Sequence, residues 1–106
     1  MDRISPLFEQ ASQNTIAGNF QAAINAYQDI MDLTAESEQA YHLSCWGIGE
    51  IYLNNRQISE AVFFLSKAGG LAPRQAHYQY LLGCAFTYEN SIDRAIYHLE
   101  FAIDLD

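Results

Sequence analysis

One spacing governs this chain. Gly49, Ile58, Ala61, Leu65, Ala68 and Leu71 recur as Gly83, Ile92, Ala95, Leu99, Ala102 and Leu105, each displaced by thirty-four positions. Self-similarity at a fixed period of this length belongs to architectures that stack one supersecondary unit on the next. The unit is legible within His42–Gln75. Its small residues Gly49, Ala61 and Ala68 let helix backbones approach closely, while Ile48, Tyr52, Ile58 and Leu65 fill the space around them. Neither helix of such a pair can hide its apolar stripe alone. Asn54-Asn55-Arg56 is expected to separate the two helices, because asparagine tolerates left-handed backbone and competes with the helix for its own hydrogen bonds. Gly69-Gly70, followed by Pro73, is expected to end the second helix.

The other two units follow by counting. Gly18-Asn19-Phe20, Ala23-Ile24, Tyr27, Ile30 and Leu33 match Arg56-Gln57-Ile58, Ala61-Val62, Leu65, Ala68 and Leu71 at an offset of thirty-eight. This puts a first unit at Ile4–Ser37, its first helix near Ser5–Ala17, with four extra residues near Glu38–Tyr41. Thr34–Tyr41 is either a longer connection or, the preferred reading, an extra turn on the next helix, with Thr34, Glu36, Ser37 and Glu38 as capping chemistry. The third unit, Ala76–Asp106, predicts helices near Arg74–Tyr88 and Ser91–Leu105, the second capped by Asn90 or Ser91. It stops one residue short of the position equivalent to Pro73, with no polar capping element after it. Either the chain is a piece of a longer protein, or its exposed end around Ile96, Leu99 and Ile103 pairs with another copy.

The spaced residues of the second and third units resemble the tetratricopeptide repeat, whose pattern is W-x2-L-G-x2-Y, then A-x3-F, then P. Cys45 stands for the Trp, Ile48 for the Leu and Leu65 for the Phe, while Gly49, Tyr52, Ala61 and Pro73 match. The first unit departs from the pattern, with Gln10-Ala11 for Leu-Gly and Asn14 for Tyr. The resemblance implies an all-α fold, an α-α superhelix of three antiparallel helix pairs, in one domain spanning 1–106 with repeats at about 4–37, 42–75 and 76–106.

It also implies a concave face lined by the first helix of each pair. Carried across, the lining is Ser5, Phe8, Ser12, Thr15 and Ile16, then Leu43, Trp46, Glu50, Leu53 and Asn54, then His77, Tyr80, Cys84, Thr87 and Tyr88. Such a groove is aromatic and nearly uncharged, centred on the only tryptophan. A branch of the family that clamps chaperone C-terminal carboxylates uses Lys, Asn, Asn, Lys and Arg at places held here by Phe8, Ser12, Gly47, His77 and Leu81, so no such clamp is expected. The expected function is non-catalytic protein–protein interaction, with an apolar or amphipathic peptide or helix in the groove. The alternatives are self-association into a homo-oligomer and a chaperone-like hold on a hydrophobic secretion substrate.

Composition narrows the field. Thirteen acids against five bases give a net charge of −8, which disfavours nucleic acid, whose binding rests on neutralising phosphates. Two cysteines, Cys45 and Cys84, are too few for a disulfide framework and read as reduced thiols of a cytoplasmic protein. The N-terminus lacks an apolar leader, and no run of about eighteen apolar residues is present, so no membrane partner is expected. Metal and cofactor binding are not expected either. His42, Cys45, His77, Cys84 and His98 do not share one helix face, and a site needs three or more ligands. Gly47-Ile48-Gly49 lies inside a helical pattern without the third glycine and preceding strand of a dinucleotide loop, and no spacing of the acids matches a calcium loop.

Overall fold

The apolar periodicities resolve into six helices in the computed structural model, which describes residues 2–106: α1 (Ser5–Ala17), α2 (Phe20–Leu33), α3 (Gln39–Asn54), α4 (Ile58–Leu71), α5 (Ala76–Tyr88) and α6 (Ile92–Leu105). Each helix packs on its predecessor and its successor, and α3 also touches α5 directly, an approach that α4 and α6 do not match. The first helices therefore line the inner side and the second helices the outer. This is the all-α superhelix of antiparallel pairs that the repeat pattern implies.

The turns inside the three pairs are alike. Gly18, Arg56 and Asn90 all take left-handed backbone, at φ 81°, 62° and 65°. In each turn the next amide donates back five residues: Asn19 to Asn14 at 2.8 Å, Gln57 to Tyr52 at 2.9 Å and Ser91 to Phe86 at 2.9 Å. This reversal satisfies carbonyls left over at the helix end and swings the chain into the next helix. The left-handed residue of the middle turn is Arg56, not the neighbouring asparagines that the sequence favours. Asn54 ends α3 and Asn55 sits at φ −91°. The hydrogen-bond register fixes which residue must turn, and local preference does not move it.

Three further expectations are corrected. Gly69 and Gly70 both lie within α4, which runs to Leu71; Ala72, just before Pro73, is the first residue outside it, consistent with proline's exclusion of helical backbone from the residue before it. No side chain caps α3, whose entry residue is Glu38, and the Thr34 hydroxyl donates backwards to the Ile30 carbonyl at 2.8 Å. Ser91 does not cap α6 either; its hydroxyl donates to Glu89 at 3.3 Å. The extra residues ahead of the second pair enter the helix, since α3 has 16 residues against 13 in α5.

Helix pairs close on glycine notches. A Cβ at Gly49 would lie 2.6 Å from Leu65 Cγ, and one at Gly83 would lie 2.7 Å from Leu99 Cγ. The two notches are thirty-four residues apart, and so are the leucines that fill them. In the first pair the corresponding positions hold Ala11 and Tyr27, and the Tyr27 ring reaches over to the next pair, where a Cβ on Gly47 would meet it at 2.5 Å. The core runs along the seams as clusters: Ala23, Ile24, Ile48 and Ile51 between α2 and α3; Tyr41, Cys45, Ala68 and Tyr78 from α3 to α5; and Leu53, Leu65, Leu82 and Phe86 among α3, α4 and α5.

Two glycines separate packing from propensity. Gly49→Ala is expected to destabilise the fold by about 1–3 kcal/mol through overpacking against Leu65. Gly70→Ala, where nothing lies within 4 Å of the added Cβ, should stabilise it by about 0.5–1 kcal/mol through helix propensity. Leu65→Ala should cost about 2–5 kcal/mol through the cavity it opens. Urea unfolding midpoints measure all three, and a neutral Gly49→Ala would refute the notch.

Candidate partner-binding face

The inner side of α1, α3 and α5 carries most of the residues that the repeat register predicts for a groove. On α5, Tyr80 and Tyr88 are 55% and 52% exposed, His77 is exposed and Cys84 is half-buried between them. On α3, Leu43, Trp46 and Glu50 are half-buried and Asn54 is exposed; on α1, Phe8 is half-buried and Ser12 exposed. Leu53 is the exception. It is only 4% exposed and belongs to the core with Leu65 and Leu82, because α4 and α5 close over that side of α3. It offers no surface to a partner.

Trp46 is a bridge rather than an open platform. Its ring lies 6.0 Å from His77 and 6.0 Å from Tyr78 of the following pair. Its indole N–H is buried and finds no hydrogen-bond acceptor among the described residues, an arrangement that costs about 1–3 kcal/mol. The Phe8 ring meets Tyr27 edge-on at 6.3 Å, and Gly47, one of the positions a carboxylate clamp would use, lies beneath Tyr27. Burial raises the Glu50 carboxyl above its ordinary pKa. At the far edge the Arg56 guanidinium sits 4.4 Å over the Tyr88 ring, so one cation borders a face that the repeat register makes nearly uncharged.

Long-range polar pairs hold this face in place. The Tyr78 hydroxyl and His42 Nδ1 are 2.8 Å apart in the interior. Burial and the nearby Cys45 push the Tyr78 phenol up to about 12, so the hydroxyl stays protonated beside the imidazole. Gln79 donates to the Pro73 carbonyl at 3.0 Å and accepts from His98 Nδ1 at 2.8 Å, tying α6 to the α4–α5 connection. The sequence reading passed over Tyr78 and Gln79, whose partners lie outside the repeat period. Burial pushes the Cys45 thiol up to about 11, which leaves it a packing group rather than a nucleophile. Among the described residues no three His, Cys, Asp or Glu side chains are placed to hold a metal ion, and no helix is long and apolar enough to cross a membrane.

No protein-family model matches the sequence, and no curated protein matches it. The fold is nevertheless similar to solved structures of MamA. A crystal structure of MamA aligns with TM-score 0.85 at 20% identity over 96% of this chain. The MamA RS-1 ArsTM double mutant gives 0.83 at 23% identity over 98%, and MamA from residue 41 to its end, from Desulfovibrio magneticus RS-1, gives 0.81 at 23% over 97%. This chain spans 56%, 57% and 56% of the double mutant, the crystal structure and the residue-41 form respectively. At such identity the likeness establishes the fold.

Two histidines, the buried His42 and the half-buried His98, make stability depend on pH. Burial lowers the pKa of both His42 and His98 in the folded state below the ordinary 6.5. The unfolded chain then binds protons more readily, so their contribution is complete above about pH 6.5 and is lost as the pH falls through and below that value. Urea midpoints should decline from pH 7.5 to 5.5, a window above the usual carboxylate range. A His42→Gln, His98→Gln double variant should show a flatter profile, and an equal slope in both proteins would exclude the histidines as the cause.

Proposed function

We propose that the chain is a non-catalytic protein-interaction module, a single domain of three repeats at about 4–37, 42–75 and 76–106, that takes an apolar or amphipathic segment of a partner along its inner face. The observation that carries this reading is the exposure of Tyr80 and Tyr88 on one side of α5. Large aromatic surfaces left open beside a rigid scaffold are the kind that anchor binding partners. The half-buried Trp46 ring, 6.0 Å from the exposed His77 ring, adds aromatic surface beside them.

The chemistry of the face selects the guest. Phe8, Leu43, Trp46, Tyr80 and Tyr88 supply apolar area, Ser12, Asn54 and His77 supply neutral polar rims, and Cys84 adds a small soft contact. Glu50 contributes a carboxyl whose burial disfavours its charged form. This suits a helix or extended segment with apolar anchors at regular spacing and does not suit a free carboxylate terminus. Two free thiols fit a cytoplasmic setting.

A peptide library displayed on phage and selected against the domain is expected to yield binders with aromatic or aliphatic residues at helical spacing. Tyr80→Ala combined with Tyr88→Ala should weaken them by about 1–4 kcal/mol in titration while the unfolding free energy from urea curves falls by no more than about 1 kcal/mol, the scale of the lost Arg56–Tyr88 contact. Selected peptides that bind the double variant undiminished would place the guest elsewhere.

A further inference from the structure

Counting by the repeat sets the two internal seams side by side. Between the first and second pairs, Met31 of α2 packs against both the cluster of Ile48 and that of Cys45, and Phe64 of α4 joins it on the first of these. At the seam between the second and third pairs the same places hold Gly69 for Met31, Leu82 for Ile48, Gln79 for Cys45 and His98 for Phe64. One side chain is missing and two polar groups replace apolar ones. A cavity of about 350 Å³ results, walled by Gly69 and Gly70 of α4 and by Tyr97, His98 and Phe101 of α6, with Gln79 of α5 at its base. It opens on the outer side, where the second helices run. At the first seam the equivalent space is filled from α2, which precedes it, so the repeat does not supply an occupant from a following unit.

Hydrogen bonding fixes which atoms are free inside it. The Pro73 carbonyl can only accept, so the Gln79 amide nitrogen, 3.0 Å away, is turned to it and the amide oxygen is turned to His98 Nδ1 at 2.8 Å. Nδ1 must then carry the proton. The Gln79 amide also reaches the Gly69 carbonyl, at 3.5 Å. Burial lowers the His98 pKa below its ordinary value, which keeps the ring neutral at pH 7, and a neutral imidazole has one N–H. Nε2 therefore keeps its lone pair, on a ring that walls the cavity and is stacked at 19° on Phe86.

Charge and shape narrow the guest. No lysine or arginine lines the cavity, and Glu100 and Asp104 border Tyr97 and Phe101 on the neighbouring surface, so an anion is repelled. Gly69 and Gly70 present backbone without side chains opposite two aromatic rings, a slot that suits a flat ring. The volume lies at the small end of the range for ligand sites.

We propose that this cavity is a binding site for a small, planar, uncharged aromatic molecule with an N–H donor, of the size of indole, whose ring lies on Gly69-Gly70 against Tyr97 and Phe101 and whose N–H donates to His98 Nε2. None of these residues belongs to the inner face, so the two sites can be tested apart.

Indole is the probe, titrated into the 106-residue chain and followed by backbone amide NMR. Saturable shifts centred on Gly69, Gly70, Leu82 and Phe101 are expected. 1-Methylindole, which keeps the ring and loses the donor, should bind roughly three- to tenfold more weakly, the worth of one hydrogen bond. Two substitutions bring in residues that the repeat already uses at these places. Gly69→Met, where a Cβ meets its nearest neighbour at 3.5 Å, should fill the space and abolish binding with no loss of melting temperature. His98→Phe should bring indole and 1-methylindole to equal affinity, and Tyr80→Ala with Tyr88→Ala should leave these amide shifts unchanged; thermal melts check that each variant is folded. Equal affinity of the two indoles for the wild type overturns the proposal, as does undiminished indole binding by a folded Gly69→Met chain, or shifts centred on Trp46 and Tyr80 instead. So does tighter binding of N-acetyltryptophanamide than of indole, because the guest is then a side chain of another protein.

Discussion

The structure depends on one steric arrangement: a leucine of the second helix pressed into a glycine of the first. At Gly49–Leu65 and at Gly83–Leu99 there is no room for even a methyl group. The approach brings the two backbones close enough for short apolar residues such as Ala61, Ala68 and Ala95 to be fully covered. Everything else in a pair is adjusted to that distance. The cores then form on the seams where each pair meets the next, which is why the clusters draw on three consecutive helices and why stability in such stacks resides in neighbouring interfaces.

Much of this was legible in the amino-acid order because the stack repeats. An offset alone predicts the first helix at Ser5–Ala17, and the six-helix order follows from the same counting. Where the reading failed, a nonlocal demand overrode a local preference. Asn54 and Asn55 are the residues that left-handed backbone prefers, yet the reversal falls on Arg56 because the back-bonded amide must be that of Gln57. Gly69-Gly70 looks like a helix end, but α4 continues through both to Leu71, with Gly69 buried against Gln79 and Leu82 of α5. Leu53 belongs to the inner face by its place in the repeat, yet the packing of α4 and α5 buries it.

The polar pairs were the least legible part. His42 and Tyr78 are 36 residues apart and Gln79 and His98 are 19 apart, so neither pair falls on the thirty-four-residue rhythm. His42–Tyr78 crosses the seam between the second and third pairs, while Gln79–His98 lies inside the third pair and reaches the α4–α5 connection through the Pro73 carbonyl. A hydrogen bond with a buried histidine fixes how one pair is turned on the next, while hydrophobic contact sets only how closely they lie. The inner face owes its geometry to both, since Trp46 leans on the same tyrosine that holds His42.

The extra turn at the start of α3 has a consequence for how this array could be lengthened. The second and third units share one period, so a copied unit spliced at their seam meets neighbours whose notches, turns and anchor residues are already in phase. At the seam between the first and second units the chain carries four more residues, and a ring from α2 occupies the hollow of Gly47. A copy of the third unit inserted there would bring neither the longer helix nor the glycine beneath that ring, since Leu81 stands at that position, so such a copy fits one of the two seams and not the other.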